Sequence, residues 1–181
     1  WRALLGLDPQ DVCRRAKVAY DGSCHAYIVK SFSRDVFVCP QDMAMYRQSP
    51  AGGGPKDINS HSRLPVLSYL IHAQDIPLAD ELVSPVNLPG GDIYVKGVHA
   101  LPLDKVAEKY GGDVRGFVER GRSLSGEGLR YGDASFRLHP LPRVPVALIL
   151  WKAVEEFPAR STLLFDSTCK LHLPPDILWS T

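Results

Sequence analysis

The 181-residue chain has no surplus of charge, few cysteines and no long apolar run, and each shortage excludes a class of function. Lys and Arg number 21 against 20 Asp and Glu, a net charge of +1. That balance offers no electrostatic footprint for nucleic acid or for an acidic membrane surface, and no run of Lys and Arg exceeds two residues. The longest apolar run, Val144 to Trp151, is eight residues and includes Pro145, whereas a membrane helix needs about 20. The four cysteines, at positions 13, 24, 39 and 169, form no CxxC pair. In a chain long enough for a real core, such irregular spacing reads as reduced thiols, not as a disulfide framework. The sequence opens at Trp1 and its methionines are Met43 and Met45, which leaves open a leader removed before it.

Signatures of chemistry are also scarce. There is no G-x-S-x-G, no G-x-x-x-x-G-K-[ST] and no cysteine with a papain-like or caspase-like flank. Gly126 to Gly132 spells G-x-G-x-x-x-G. It is one residue too long for the dinucleotide fingerprint and precedes a strand instead of following one, so it reads as a turn. Pro89-Gly90-Gly91-Asp92 could present backbone N–H groups to an anion, but a plain turn is the simpler reading. Cys169-Lys170-Leu171-His172 would put two metal ligands on one face if helical and on opposite faces if extended. Leu171 and Leu173 alternate with Lys170 and His172, which favours a strand, with Cys169 as a core thiol and His172 outward. Cys24 and His25, with Cys39, form a weaker set still. The sequence therefore implies no metal site and names no cofactor.

What is present is the pattern of an ordinary globular protein, 45% hydrophobic and 23% charged. Asp8-Pro9-Gln10-Asp11 has the form of a helix start. Residues 25–31 and 34–39 are rich in β-branched and aromatic types and predict a hairpin turning near Ser33 to Asp35. Residues 49–59, with three consecutive glycines between two prolines, predict a mobile loop. Val66, Leu67, Leu70 and Ile71 share a helical face within 63–73. Leu103, Val106, Ala107 and Tyr110 mark a helix bounded by Pro102 and Gly111, and Val114, Phe117, Val118 and Gly121 mark another. A glycine inside a helix costs about 1 kcal/mol relative to alanine, which implies a close backbone approach at Gly121. Residues 133–139 alternate as a half-buried strand, Val144 to Trp151 suits a central strand covered on both faces, and 162–166 and 168–173 predict two more strands. Pro174-Pro175 breaks the chain before a terminal turn around Ile177 and Trp179. Strands at both ends and helices in the middle predict an α+β fold, with a mainly antiparallel sheet and a helical middle segment packed on it, in a single domain over 1–181.

Five polar residues flank the apolar strand and its neighbours: His139, Arg143, Glu155, Glu156 and Asp166. If the strands pair in order, these groups converge at strand ends on a rigid scaffold. Arg143 lies between Pro142 and Pro145 and is placed to meet a carboxylate of the protein or of a ligand. The plain alternative is a solvated rim with a structural ion pair.

The order LPGGDIYVKG (88–97), GDASFRLHPLPRVPVALILW (132–151), EEFPAR (155–160), LLFD (163–166) and HLPPDILW (172–179) resembles the uncharacterised prokaryotic family called domain of unknown function 3786. The likeness spans nearly the whole chain, and its C-terminal half is the specific part. It implies an anaerobic bacterial or archaeal source, while the reading of the cysteines as reduced thiols implies a cytoplasmic setting. Some relatives carry an added four-cysteine iron–sulfur module that this chain lacks, and the family supplies no catalytic residues to carry over. Two readings follow. One is a non-catalytic binding or accessory protein, with a protein partner or small-molecule ligand, serving metal-cofactor or tetrapyrrole-type systems. The other is a small enzyme using Glu155, Glu156, Asp166 and His139.

Overall fold

A computed structural model describes residues 1–48, 54–58, 60–91, 100–178 and 180. Most of the glycine-rich stretch, Asp92 of the Pro-Gly-Gly-Asp turn and Trp179 lie outside the described residues.

The N-terminal part begins with α1 (Arg2–Leu5) and α2 (Pro9–Ala16). Asp8 caps α2, accepting from the N–H groups of Gln10 at 3.4 Å and Asp11 at 3.1 Å. Five strands then run as an antiparallel meander: β1 (Ala19–Asp21), β2 (Ala26–Ser31), β3 (Arg34–Cys39), β4 (Ala44–Arg47) and β5 (Lys56–Asp57). The β2–β3 hairpin pairs Ser31 with Arg34. Its loop is Phe32–Ser33, with both residues left-handed at φ 49° and 60°, as the right-handed twist of a two-residue hairpin requires. The turn thus comes slightly before the Ser33–Asp35 position that composition suggested. The Phe32 N–H donates to the carbonyl of His139 at 2.8 Å and ties this hairpin to the C-terminal half.

The middle is helical. Helix α3 (Ser60–His72) buries Val66, Tyr69 and Leu70. Beyond β6 (Leu82–Val83) and a 3-10 turn at Pro85–Asn87 come α4 (Leu103–Tyr110) and α5 (Val114–Ser123). The periodicity and both boundary residues of α4 stand as the sequence implies. So does the reason for Gly121: a Cβ there would come within 2.4 Å of the Phe136 ring.

The second sheet has the order β6-β10-β9-β8-β7, with β7 (Glu127–Gly128), β8 (Ala134–Leu141), β9 (Val144–Trp151) and β10 (Arg160–Asp166), all neighbours antiparallel. The apolar run is its central strand, with Ala147 and Leu150 fully buried. Pro140 sits where the β8–β9 register shifts, between Leu138 and Leu141, a place where a strand tolerates a missing donor. The fold is α+β with antiparallel pairing throughout its described strands, divided into two sheets of five. Buried residues of both sheets and of the helices form one contiguous core cluster.

One element differs from the sequence pattern. Residues 169–172 are not a strand but a helical turn, α6 (Cys169–His172), followed by α7 (Pro175–Leu178). The alternation of Cys169, Leu171 and Leu173 misleads because His172 is not an outward residue. Cys169, His172 and Leu173 occupy the helical inner face at no more than 1% exposure, while Leu171 is 41% exposed.

Candidate functional site

Arg143 is the second residue of the two-residue loop closing the β8–β9 hairpin, since Leu141 pairs with Val144. Its guanidinium donates to the carbonyls of Ile76 at 2.6 Å and Arg14 at 3.3 Å, and meets Asp75 Oδ1 at 2.5 Å. Its backbone N–H donates to the hydroxyl of fully buried Tyr69, which in turn donates to the Ala16 carbonyl at 2.7 Å. Arg143 thereby staples α2, the segment after α3 and the second sheet together. Hydrogen bonding from Arg14, and the charges of Arg14 and Arg143, hold the Asp75 carboxyl below its ordinary range.

Asp166 ends β10 and is 2% exposed. Burial alone would raise its pKa, but the hydrogen bonds it accepts win and lower it. They come from the Thr168 hydroxyl and N–H at 2.5 and 3.0 Å, and from the N–H groups of Ala79 and Asp80 at 3.3 and 2.8 Å. The carboxylate fixes residues 79–80 against the sheet and opens the turn into α6. In α6, burial holds the Cys169 thiol up at about 12. His172 Nδ1 accepts from the Gln74 N–H at 3.3 Å, which leaves the ring proton on Nε2. Burial, with the nearby charge of Arg143, lowers the His172 pKa to about 4, so the imidazole is neutral at physiological pH. His172 Nε2 and Arg143 Nε are buried without a hydrogen-bond partner among the described residues.

The five residues named from the sequence do not converge. His139, Arg143 and Asp166 lie toward one end of the second sheet, where Leu138 pairs with Val146 and Val146 with Phe165. Glu155 and Glu156 lie exposed in the β9–β10 connection at the opposite end, between Val154 and Phe157. The partner of Arg143 is Asp75, not Glu155, Glu156 or Asp166. Asp75 and Tyr69 are the members of the cluster that sequence patterns miss, and His172, expected to face outward, is buried. All four cysteines are free thiols, and among the described residues no group of three or more His, Cys, Asp or Glu side chains is arranged to hold a metal.

A second feature has the opposite chemistry. Between α4, α5 and the second sheet lies a cavity of 210 Å³. Val106 and Tyr110 line it from α4, Phe117 and Gly121 from α5, and Phe136 and Leu148 from the sheet. The aromatic rings are arranged edge-on or tilted, Tyr110 to Phe117 at 5.7 Å and Phe117 to Phe136 at 5.8 Å. No carboxylate, histidine or thiol reaches the cavity; its one charged lining residue is Arg120, which is exposed at the rim.

The model of the family described as Domain of unknown function (DUF3786) matches residues 8–181. The chain belongs to the DUF3786 family. The match takes in every element that builds the two features of this DUF3786 protein, from α2 to α7. No curated protein and no solved structure matches it. No helix among the described residues is long and apolar enough to cross a membrane.

Proposed function

We propose that this DUF3786 protein is a non-catalytic binding protein, a single cooperative unit whose recognition site is the cavity between α4, α5 and the second sheet. The observation that carries this reading is the division of labour between the two features. Three of the titratable groups with displaced proton affinities, Asp166, Cys169 and His172, are buried at 2% exposure or less, and Asp166 is already engaged by four donors. None of them lines the cavity. The cavity offers apolar and aromatic surface, the usual material of a ligand pocket, with no carboxylate, histidine or thiol in its lining to move a proton. An apolar cavity of about 150 Å³ stays dry and takes up benzene, so 210 Å³ suits a compact ligand of one ring.

A macrocycle does not fit that volume. Service to anaerobic metal-cofactor or tetrapyrrole-type systems, in the cytoplasm, would therefore run through a small ligand or a protein partner and not through a tetrapyrrole held in this cavity.

The test is thermal stability with the neutral aromatic probe 2-phenylethanol, beside native mass spectrometry of protein purified without oxygen. The probe raises the melting temperature of the native chain and leaves that of Leu148→Phe, which fills the cavity, unmoved. No stabilisation of either protein, or a retained small molecule that Arg143→Ala releases and Leu148→Phe does not, would overturn the reading.

A further inference from the structure

We infer that the ligand of the cavity is an aromatic acid, its ring held among Tyr110, Phe117 and Phe136 and its carboxylate held at the rim by Arg120. The inference rests on the binding reading above and adds the chemical class.

The ring follows from the lining. Three aromatic side chains already stand at edge-on and tilted angles with centroids 5.7 and 5.8 Å apart. That spacing lies within the 4.5–7 Å range in which aromatic rings attract through their quadrupoles, and a further ring extends the same arrangement. A saturated chain would fill the volume equally but gain none of that directional attraction. The close approach that Gly121 permits, with a Cβ barred by Phe136 at 2.4 Å, sets the floor of the cavity beneath these rings.

The acid follows from the rim. Arg120 makes no ion pair among the described residues, and its one side-chain hydrogen bond is a long one, to the Ser123 hydroxyl at 3.5 Å. Its neighbour Glu119 is occupied by Arg115 at 2.9 Å. Lys109 adds a second cation, its Nζ 5.2 Å from the centroid of the Tyr110 ring that lines the cavity. A mouth with a free guanidinium and a nearby ammonium favours an anion over a neutral or cationic head group. The planar fork of arginine suits a carboxylate.

Calorimetric titration of the full chain with phenylacetate and with 2-phenylethanol, at low ionic strength, tests the class. The native protein should bind phenylacetate about threefold to fivefold more tightly than the alcohol, the range expected of a solvent-exposed charge pair. Arg120→Gln, an exposed change that leaves the core alone, should erase that preference and leave the alcohol's affinity where it was. Added salt should weaken only the acid. If the native chain binds both equally, or Arg120→Gln keeps the preference, the acid assignment is overturned while the cavity reading stands. If neither probe binds, both are overturned.

Discussion

The β8–β9 tip and the face of the second sheet under α4 and α5 use burial in opposite ways. Around the β8–β9 tip, most polar groups are engaged by the fold: Asp166 accepts four hydrogen bonds, and Arg143 meets two carbonyls and Asp75, while Arg143 Nε and His172 Nε2 have no partner among the described residues. Between α4, α5 and the sheet, apolar groups surround space they do not fill. A carboxylate that already accepts four hydrogen bonds, as Asp166 does, stabilises the fold and has little left for a ligand, whereas unfilled apolar surface gains by taking one up. Titratable residues near strand ends therefore direct attention to the stabilising cluster, and the proposed recognition surface lies in residues that sequence patterns count only as core.

The comparison breaks first at Asp166. Asp166→Ala takes the acceptor from the N–H groups of Ala79 and Asp80 and from both donors of Thr168, and should cost about 3 kcal/mol in urea unfolding. Its affinity for 2-phenylethanol should match that of the native chain. The next largest effect is pH. The folded pKa of His172 is depressed from 6.5 to about 4, so the unfolded chain takes up a proton first as the pH falls. The stability that His172 contributes is complete above pH 6.5 and is lost between 6.5 and about 4, by about 3 kcal/mol in all. Asp166, whose folded pKa is lowered below 3.8, adds its own loss only at pH values below that. His172→Asn supplies an acceptor for the Gln74 N–H and should flatten the profile between pH 4 and 6.5.

Arg143→Ala should cost about 2 kcal/mol, because it removes the donor of the Ile76 carbonyl and one of the two arginines on Asp75, and should not alter probe binding. Loss of binding without loss of stability would transfer the site to the polar end. The smallest effect sharpens the other side of the comparison. Gly121→Ala gains helix propensity but drives a methyl into the Phe136 ring, for a net loss of about 1 kcal/mol. Displacing that ring should weaken 2-phenylethanol, although Gly121 carries no functional group.

Much of the fold is legible in the sequence where one local rule decides. Pro102, Gly111 and the spacing from Leu103 to Tyr110 bound α4, and the run from Val144 to Trp151 marks the central strand. Two-residue strands such as β6 and β7 carry no periodic signal, because they exist only through their partners β10 and β8. Residues 168–173 fit both periods, and which one holds turns on whether His172 is polar surface or core. In the fold it is core, packed with α6 against α3 and β9, and its Nδ1 accepts from the Gln74 N–H, 98 positions away. Arg143 stands out from its flanking prolines, yet its partner Asp75 lies 68 residues earlier in a segment without a pattern. The cavity is the least legible feature, since unfilled space between α4, α5 and the sheet depends on the packing distance of elements and not on any residue's type.

The most direct test of the account is an amide and aromatic NMR titration of the full chain with 2-phenylethanol. Shifts should concentrate at Tyr110, Phe117, Gly121 and Phe136, while Asp75, Arg143, Asp166 and His172 stay in place. Shifts confined to Arg143, Asp166 and His172, with the aromatic residues unmoved, would contradict it.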